Sequence, residues 1–149
     1  MPYSSNSDLL KEISTAELAK LTGDPEGITI DTERTGYARA NADGLIDAYL
    51  YGRYDVPFSD TPDPLIKRLS CDLTIVYLYE YAYHGSIVPN TILNRKLNAV
   101  SLLKDLQRGT IVLQDAVSGG NAPPSVITNK QDYERIFDED TLDKFMDEQ

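Results

Sequence analysis

The chain has 149 residues, with 14 basic and 24 acidic side chains for a net charge of −10, and 41% of its residues are hydrophobic. That balance belongs to a folded soluble domain rather than a fibrous or disordered chain, and a domain of this size buries roughly two-thirds of its unfolded surface without needing a metal or disulfides. The negative charge argues against general nucleic-acid binding, because affinity for a phosphate backbone comes mainly from Lys and Arg displacing counterions.

Met1 to Lys11 lacks the basic start and apolar run of a secretory signal. The longest apolar candidate, Leu73 to Tyr83, carries Glu80 and is too short to span a bilayer. A single cysteine, Cys71, allows no internal disulfide and fits an intracellular or virion setting.

In chain order, Ser7 can cap a short helix over Asp8 to Ile13, and Ser14 a second over Thr15 to Leu21, with Glu17 as its capping-box partner. Leu18 and Leu21 give the second helix an apolar edge. Gly23, Asp24, Pro25 and Gly27 force a loop, followed by a brief extended piece, Ile28 to Ile30. Asp31 or Thr32 opens a third helix that runs to about Arg53, with Ala38, Ala42, Leu45, Ile46 and Tyr49 on one face. The prolines at 57, 62 and 64 separate it from the next helix.

Pro64 suits a first helical position, and the helix it opens is apolar around most of its girth, which marks it as central. Tyr77, Tyr79, Tyr81 and Tyr83 alternate as in a strand, yet no breaker separates them from Leu65 to Val76, so the helix is expected to continue to a stop at Gly85. A last long helix starts at Pro89, buries Leu93, Leu97, Val100 and Leu103, exposes Arg95, Lys96, Lys104 and Arg108, and ends at Gly109. The β-branched stretch Thr110 to Gln114 suits a short strand.

The expected fold is therefore mainly all-α: a bundle of three longer helices with short N-terminal helices over residues 1–116. A Gly/Pro-rich linker, 117–127, then leads to an acidic tail, 128–149. From Gln131 to Gln149 eight acidic residues stand against Arg135 and Lys144. Leu142, Phe145 and Met146 fall at i, i+3, i+4 behind a candidate Asp140 cap, the spacing of a short helix that docks on a partner or packs back on its own domain.

Candidates for chemistry are few. Cys71 and His84 lie 13 residues apart on one predicted helix, about 20 Å, too far to pair as nucleophile and base. Thr22 to Glu33 has a calcium-loop outline, but Thr stands at the first ligand position and Thr29 where an aliphatic residue is expected, so a turn spacing two helices is the better reading. Asp43 and Asp47, one helical turn apart, could serve acid/base chemistry, though such pairs are mostly a solvated face. No phosphate-binding glycine loop, Cys-x-x-Cys or His-Glu-x-x-His motif occurs. The expectation is no catalytic residue, no cofactor and no metal.

The pattern Ala38-x3-Ala42-Asp43-x2-Ile46-Asp47-x-Tyr49-Leu50-x2-Arg53-Tyr54-x2-Pro57, then Pro62-x2-Leu65 and Leu69-x2-Asp72, resembles the head-to-tail connector, or head completion, proteins of Mu-like phages and prophages. Leu102-Leu103-Lys104-Asp105-Leu106-x2-Gly109 resembles that family's last helix and the strand after it. The resemblance covers about residues 1–114 and preserves the order of helices and proline loop; the tyrosine-rich segment and the tail depart from it. It implies a non-enzymatic subunit of a ring at the portal exit, which completes the filled head and docks the neck or tail.

Partners implied are further copies of the chain in heterologous, head-to-tail contact, the portal, and neck or tail proteins, with no specific nucleic acid, membrane or small-molecule substrate. The setting implied is the bacterial cytoplasm during assembly and then the virion. Interface candidates are Tyr49, Arg53, Tyr54 and Pro57 of the motif, the basic residues Arg95, Lys96, Lys104 and Arg108, and Leu142, Phe145 and Met146 for tail docking. Arg53 suits a helix C-terminus and can stack on Tyr54 or pair with a carboxylate across the proline loop, and a motif that fixes the turn between the third and fourth helices is favoured over direct partner contact. The alternative reading is an acidic adaptor that binds a host or phage protein through its tail, with a carboxylate hydrolase a distant third.

Overall fold

The computed structural model describes residues 2–58, 62–84 and 88–113, and these hold five helices and no strand. Helix α1, Asn6–Glu12, is capped by Ser5 in a reciprocal box with Asp8: the Asp8 N–H donates to Ser5 Oγ (3.3 Å) and the Ser5 N–H to Asp8 Oδ2 (3.1 Å). The cap lies two residues before the predicted one at Ser7, because Asp8 sits three residues after Ser5 whereas Ser7 has Leu10 there. Helix α2, Thr15–Thr22, starts under Ser14, whose Oγ accepts from the Glu17 N–H at 3.2 Å.

Helix α3, Thr32–Leu50, is capped by the Asp31 carboxylate, which accepts from the N–H groups of Glu33 (2.9 Å) and Arg34 (3.1 Å). It stops three residues short of Arg53. The N–H groups of Arg53 and Tyr54 both turn back to the Leu50 carbonyl, each at 2.9 Å, around Gly52. Helix α4, Pro64–Tyr83, begins under Asp63 and carries all four alternating tyrosines in helical geometry. It ends at His84, itself left-handed with φ 39°. Gly85, the predicted stop, lies outside the described residues.

Helix α5, Asn90–Arg108, closes at left-handed Gly109, φ 81°. Thr110 to Leu113 makes no strand: the Thr110 and Ile111 N–H groups return to the Asp105 carbonyl (2.9 and 3.4 Å), so the helix end satisfies them, and Leu113 is buried. The predicted linker and tail lie outside the described residues.

Helix α4 is the hub and packs against α1, α2, α3 and α5. One end of it joins Ile46, Leu50, Tyr54, Leu103 and Leu106 in a core around Leu69 and Leu73, and the other joins Leu9, Leu18, Leu21 and Ala38 around Cys71, Ile75 and Leu78. Helix α5 turns a different face inward from the one its leucine pattern predicts. Of the predicted face, Leu103 is buried and Val100 half-buried, but Leu93 and Leu97 stay 41% and 66% exposed, and Ala99 and Leu106 are buried in their place. Ala99 sits in the core with Leu103 and Leu106, and a helix that turns these three inward carries Leu93 and Leu97 on its outer side.

Candidate interaction surface

The motif at residues 49–57 builds the corner where α3 ends, beside the end of α5. Tyr54 is buried, and its hydroxyl accepts from the Leu113 N–H at 3.4 Å. Tyr49 is half-buried against the same core, and Pro57, after a cis peptide bond, is exposed. The Arg53 guanidinium lies 5.9 Å from the Tyr54 ring centre and covers Gly109 so closely that a Cβ there would collide with it. Arg53 thus places its cation at the carboxyl end of α5 as well as α3, where the helix dipole is negative. The same device closes α2. Arg34 covers left-handed Gly23, donates from Nη1 to the Thr22 carbonyl at 2.7 Å, and lies 4.7 Å over the Tyr81 ring.

The Asp43 and Asp47 pair is not a solvated face. Asp43 accepts from the Tyr3 N–H (3.0 Å) and the Ser70 hydroxyl (2.6 Å), Ser70 shares a further bond with Ser4 (2.9 Å), and Asp47 accepts from the Tyr3 hydroxyl. The Tyr3 hydroxyl in turn accepts from the Phe58 N–H at 3.0 Å, with the two rings 5.6 Å apart edge to face. Burial raises the Asp43 carboxyl above its ordinary range, against the pull of Ser70 and Tyr3, and raises the Tyr3 hydroxyl, reinforced by Asp47. Both carboxylates hold the N-terminal segment to α3 and α4. This network joins residues 27 to 66 apart in sequence, and no local pattern announces it.

The calcium-loop outline is likewise occupied by the chain itself. Asp24 accepts from the N–H groups of Glu26 (3.0 Å), Ile28 (2.9 Å) and Thr29 (2.6 Å), which hold its carboxyl below the ordinary range, and Thr22 Oγ1 bonds within α2. Cys71 is buried and its thiol is pushed up by burial, while His84 lies at the far end of α4 against Tyr81. On the outer side of that end, Tyr79 donates to Glu17, and burial together with that bond pushes its hydroxyl up to about 12.

The four basic candidates on α5 divide into two pairs. Arg95, half-buried, pairs with Asp72 (2.9 Å) and Glu12 (3.6 Å), and Lys96 with Glu80 (2.6 Å), so these two tie α5 to α4 and α1. Lys104 and Arg108 are exposed, and no acidic side chain among the described residues pairs with either. They continue the line of Leu93, Leu97 and half-buried Val100. A second apolar surface, a cleft of about 410 Å³, lies between α3 and α4 under Tyr37, Tyr77 and Tyr81, with Glu33 and Glu80 at its edge. Leu142, Phe145 and Met146 lie outside the described residues. Among those described, no helix is long and apolar enough to cross a membrane.

The sequence of the chain matches the family described as bacteriophage Mu Gp36 over residues 3–143. The chain belongs to the bacteriophage Mu Gp36 family. No curated protein matches it. The family match runs past residue 116 and takes in the linker and most of the acidic tail, further than the roughly 114 residues on which the sequence resemblance rests. The tail up to residue 143 is therefore part of the Gp36 pattern and not an appendage to it.

Proposed function

We propose that this Gp36-family chain is a structural subunit of the phage head-to-tail junction, which assembles as a ring at the portal exit, completes the filled head and offers a platform to the neck or tail. Membership of a Mu phage family carries the reading, and the surface chemistry supports it. A rigid helical body shows one basic, apolar helix face, Leu93 to Arg108, on a chain of net charge −10 with an acidic tail. Opposite charges on two different surfaces of one subunit suit head-to-tail contacts that close into a ring.

The role proposed is assembly without catalysis. The groups with the chemistry to react are otherwise engaged: Cys71 is buried with a raised thiol, and Asp43 and Asp47 anchor the N-terminal segment. DNA passing such a ring would meet subunits that repel phosphate.

Static light scattering of the protein alone and mixed with the portal protein of the same phage tests the reading. A discrete ring-sized species with the portal is expected, and Lys104→Glu with Arg108→Glu should abolish it. A strict monomer under both conditions would overturn the proposal, as would tight, salt-sensitive duplex DNA binding in a gel shift.

A further inference from the structure

The outer stripe of α5 is apolar, basic at one end, and uncovered by any described element. Leu93, Leu97, Val100 and Lys104 follow at steps of four, three and four residues, which places them on one line of the helix, and Arg108 extends it by one more turn. Leu97, at 66% exposure, is the most exposed leucine among the described residues. The only acid on α5, Asp105, lies off this line.

A second copy of the same stripe is a poor occupant, because parallel pairing would set Lys104 and Arg108 against their own kind and antiparallel pairing would set them against Leu93 and Leu97 with no counter-charge. The α3–α4 cleft is a poor site for an acidic segment, because its one cation, Arg34, is already engaged by Asp31 and the Thr22 carbonyl, and Glu33 stands at its edge. The stripe asks for an amphipathic, acidic partner. The chain contains one. Between Asp138 and Glu148 six acidic residues surround Lys144 and the helically spaced Leu142, Phe145 and Met146.

Geometry allows the contact within one molecule. Leu113, the last described residue, is buried beside Tyr54, next to the carboxyl end of α5 where Lys104 and Arg108 lie. The 27 residue steps from there to Asp140 would span about 30 Å as a flexible chain. The stripe from Lys104 to Leu93 is only about 16 Å long. A tether of that reach confers a local concentration on the order of millimolar, enough to populate a contact too weak to hold two separate molecules.

We propose that the acidic segment 140–148 of the same chain docks on the outer stripe of α5, with Leu142, Phe145 and Met146 against Leu93, Leu97 and Val100, and its carboxylates toward Lys104 and Arg108. The docking goes beyond the connector reading and does not depend on it. If a ring forms, the same acidic segment could be handed to a neighbour's α5 without any new surface.

The chain contains no tryptophan, so Phe145→Trp in the full-length protein supplies a single fluorescent reporter. The expected emission is blue-shifted and protected from acrylamide, and adding Leu97→Asp, or Lys104→Glu with Arg108→Glu, should shift it to the red and expose it. High salt should do the same in part. Leu97, Lys104 and Arg108 are exposed, so these variants should keep the far-ultraviolet circular dichroism and melting of the parent. Three results would overturn the proposal: emission of a fully solvated indole in the parent, a blue shift indifferent to the α5 substitutions, or one that fades on dilution and so reports a second molecule. None of these readouts involves the portal, so the docking and the connector role fail separately.

Discussion

The corner at the N-terminal segment and the outer face of α5 put their side chains to opposite ends. At the corner, Tyr3, Tyr54, Arg53, Asp43 and Asp47 are all engaged within the chain, and the aromatic residues are buried or packed. On α5, Leu93, Leu97, Lys104 and Arg108 meet no described partner. Conspicuous motif residues are here the ones that hold the fold, while the exposed leucines and cations lie on a helix face whose sequence reads as ordinary core.

The sharpest way to break this comparison uses one residue type on one helix. Leu103→Ala removes a fully buried side chain and should cost about 2–5 kcal/mol. Leu97→Ala should stay within about 0.5 kcal/mol. Urea unfolding of both checks it, and equal losses would mean that the outer face of α5 is core after all. Next, Asp43→Ala leaves the Tyr3 N–H and the Ser70 hydroxyl without their acceptor and should cost about 1–3 kcal/mol. Hydrogen exchange should then show the N-terminal segment opening before the helices.

Gly109→Ala puts a side chain into left-handed geometry, about 1–2 kcal/mol, and into the Arg53 guanidinium. In an Arg53→Ala background the collision is gone and only the backbone cost should remain, a difference that a double-mutant cycle measures.

The smallest expected effect is the pH profile. Burial raises the Asp43 and Asp72 carboxyls, so on mild acidification the folded chain binds protons before the unfolded one, and this component of stability grows. Asp8 works the other way: Lys11 and Ser5 hold it low, so its contribution is complete above the ordinary aspartate range and is lost as the pH falls below it. The melting temperature should rise slightly from neutral to mildly acidic pH and fall beyond. Asp43→Asn should flatten the rise, and Asp8→Asn the fall, each by less than about 1 kcal/mol.

The helices were legible because their signals are local. Ser14, Asp31, Pro64 and Gly109 mark ends, and the unbroken apolar girth of α4 settles the tyrosine run as helix. The α5 face was not. Leu93-Leu97-Val100 and Ala99-Leu103-Leu106 both recur at four- and three-residue steps, and hydrophobicity favours the leucine-rich stripe. The buried line runs through Ala99, a residue too small to weigh in a hydrophobic pattern, and shares Leu103 with the predicted face. The strap from Tyr3 to Asp43 and Ser70 was equally hidden, since only the fold brings residues 40 apart together.

That strap has a consequence for the order in which the molecule is made. Tyr3 and Ser4 are synthesised before the long-range partners that fix them: Asp43, Asp47, Phe58 and Ser70, 66 residues after Ser4. Domains usually fold as units during synthesis, from the N-terminus. Here Tyr3 and Ser4 must wait, unfixed, until α4 has emerged and can receive them. The segment ahead of α1 is the closing piece of this fold.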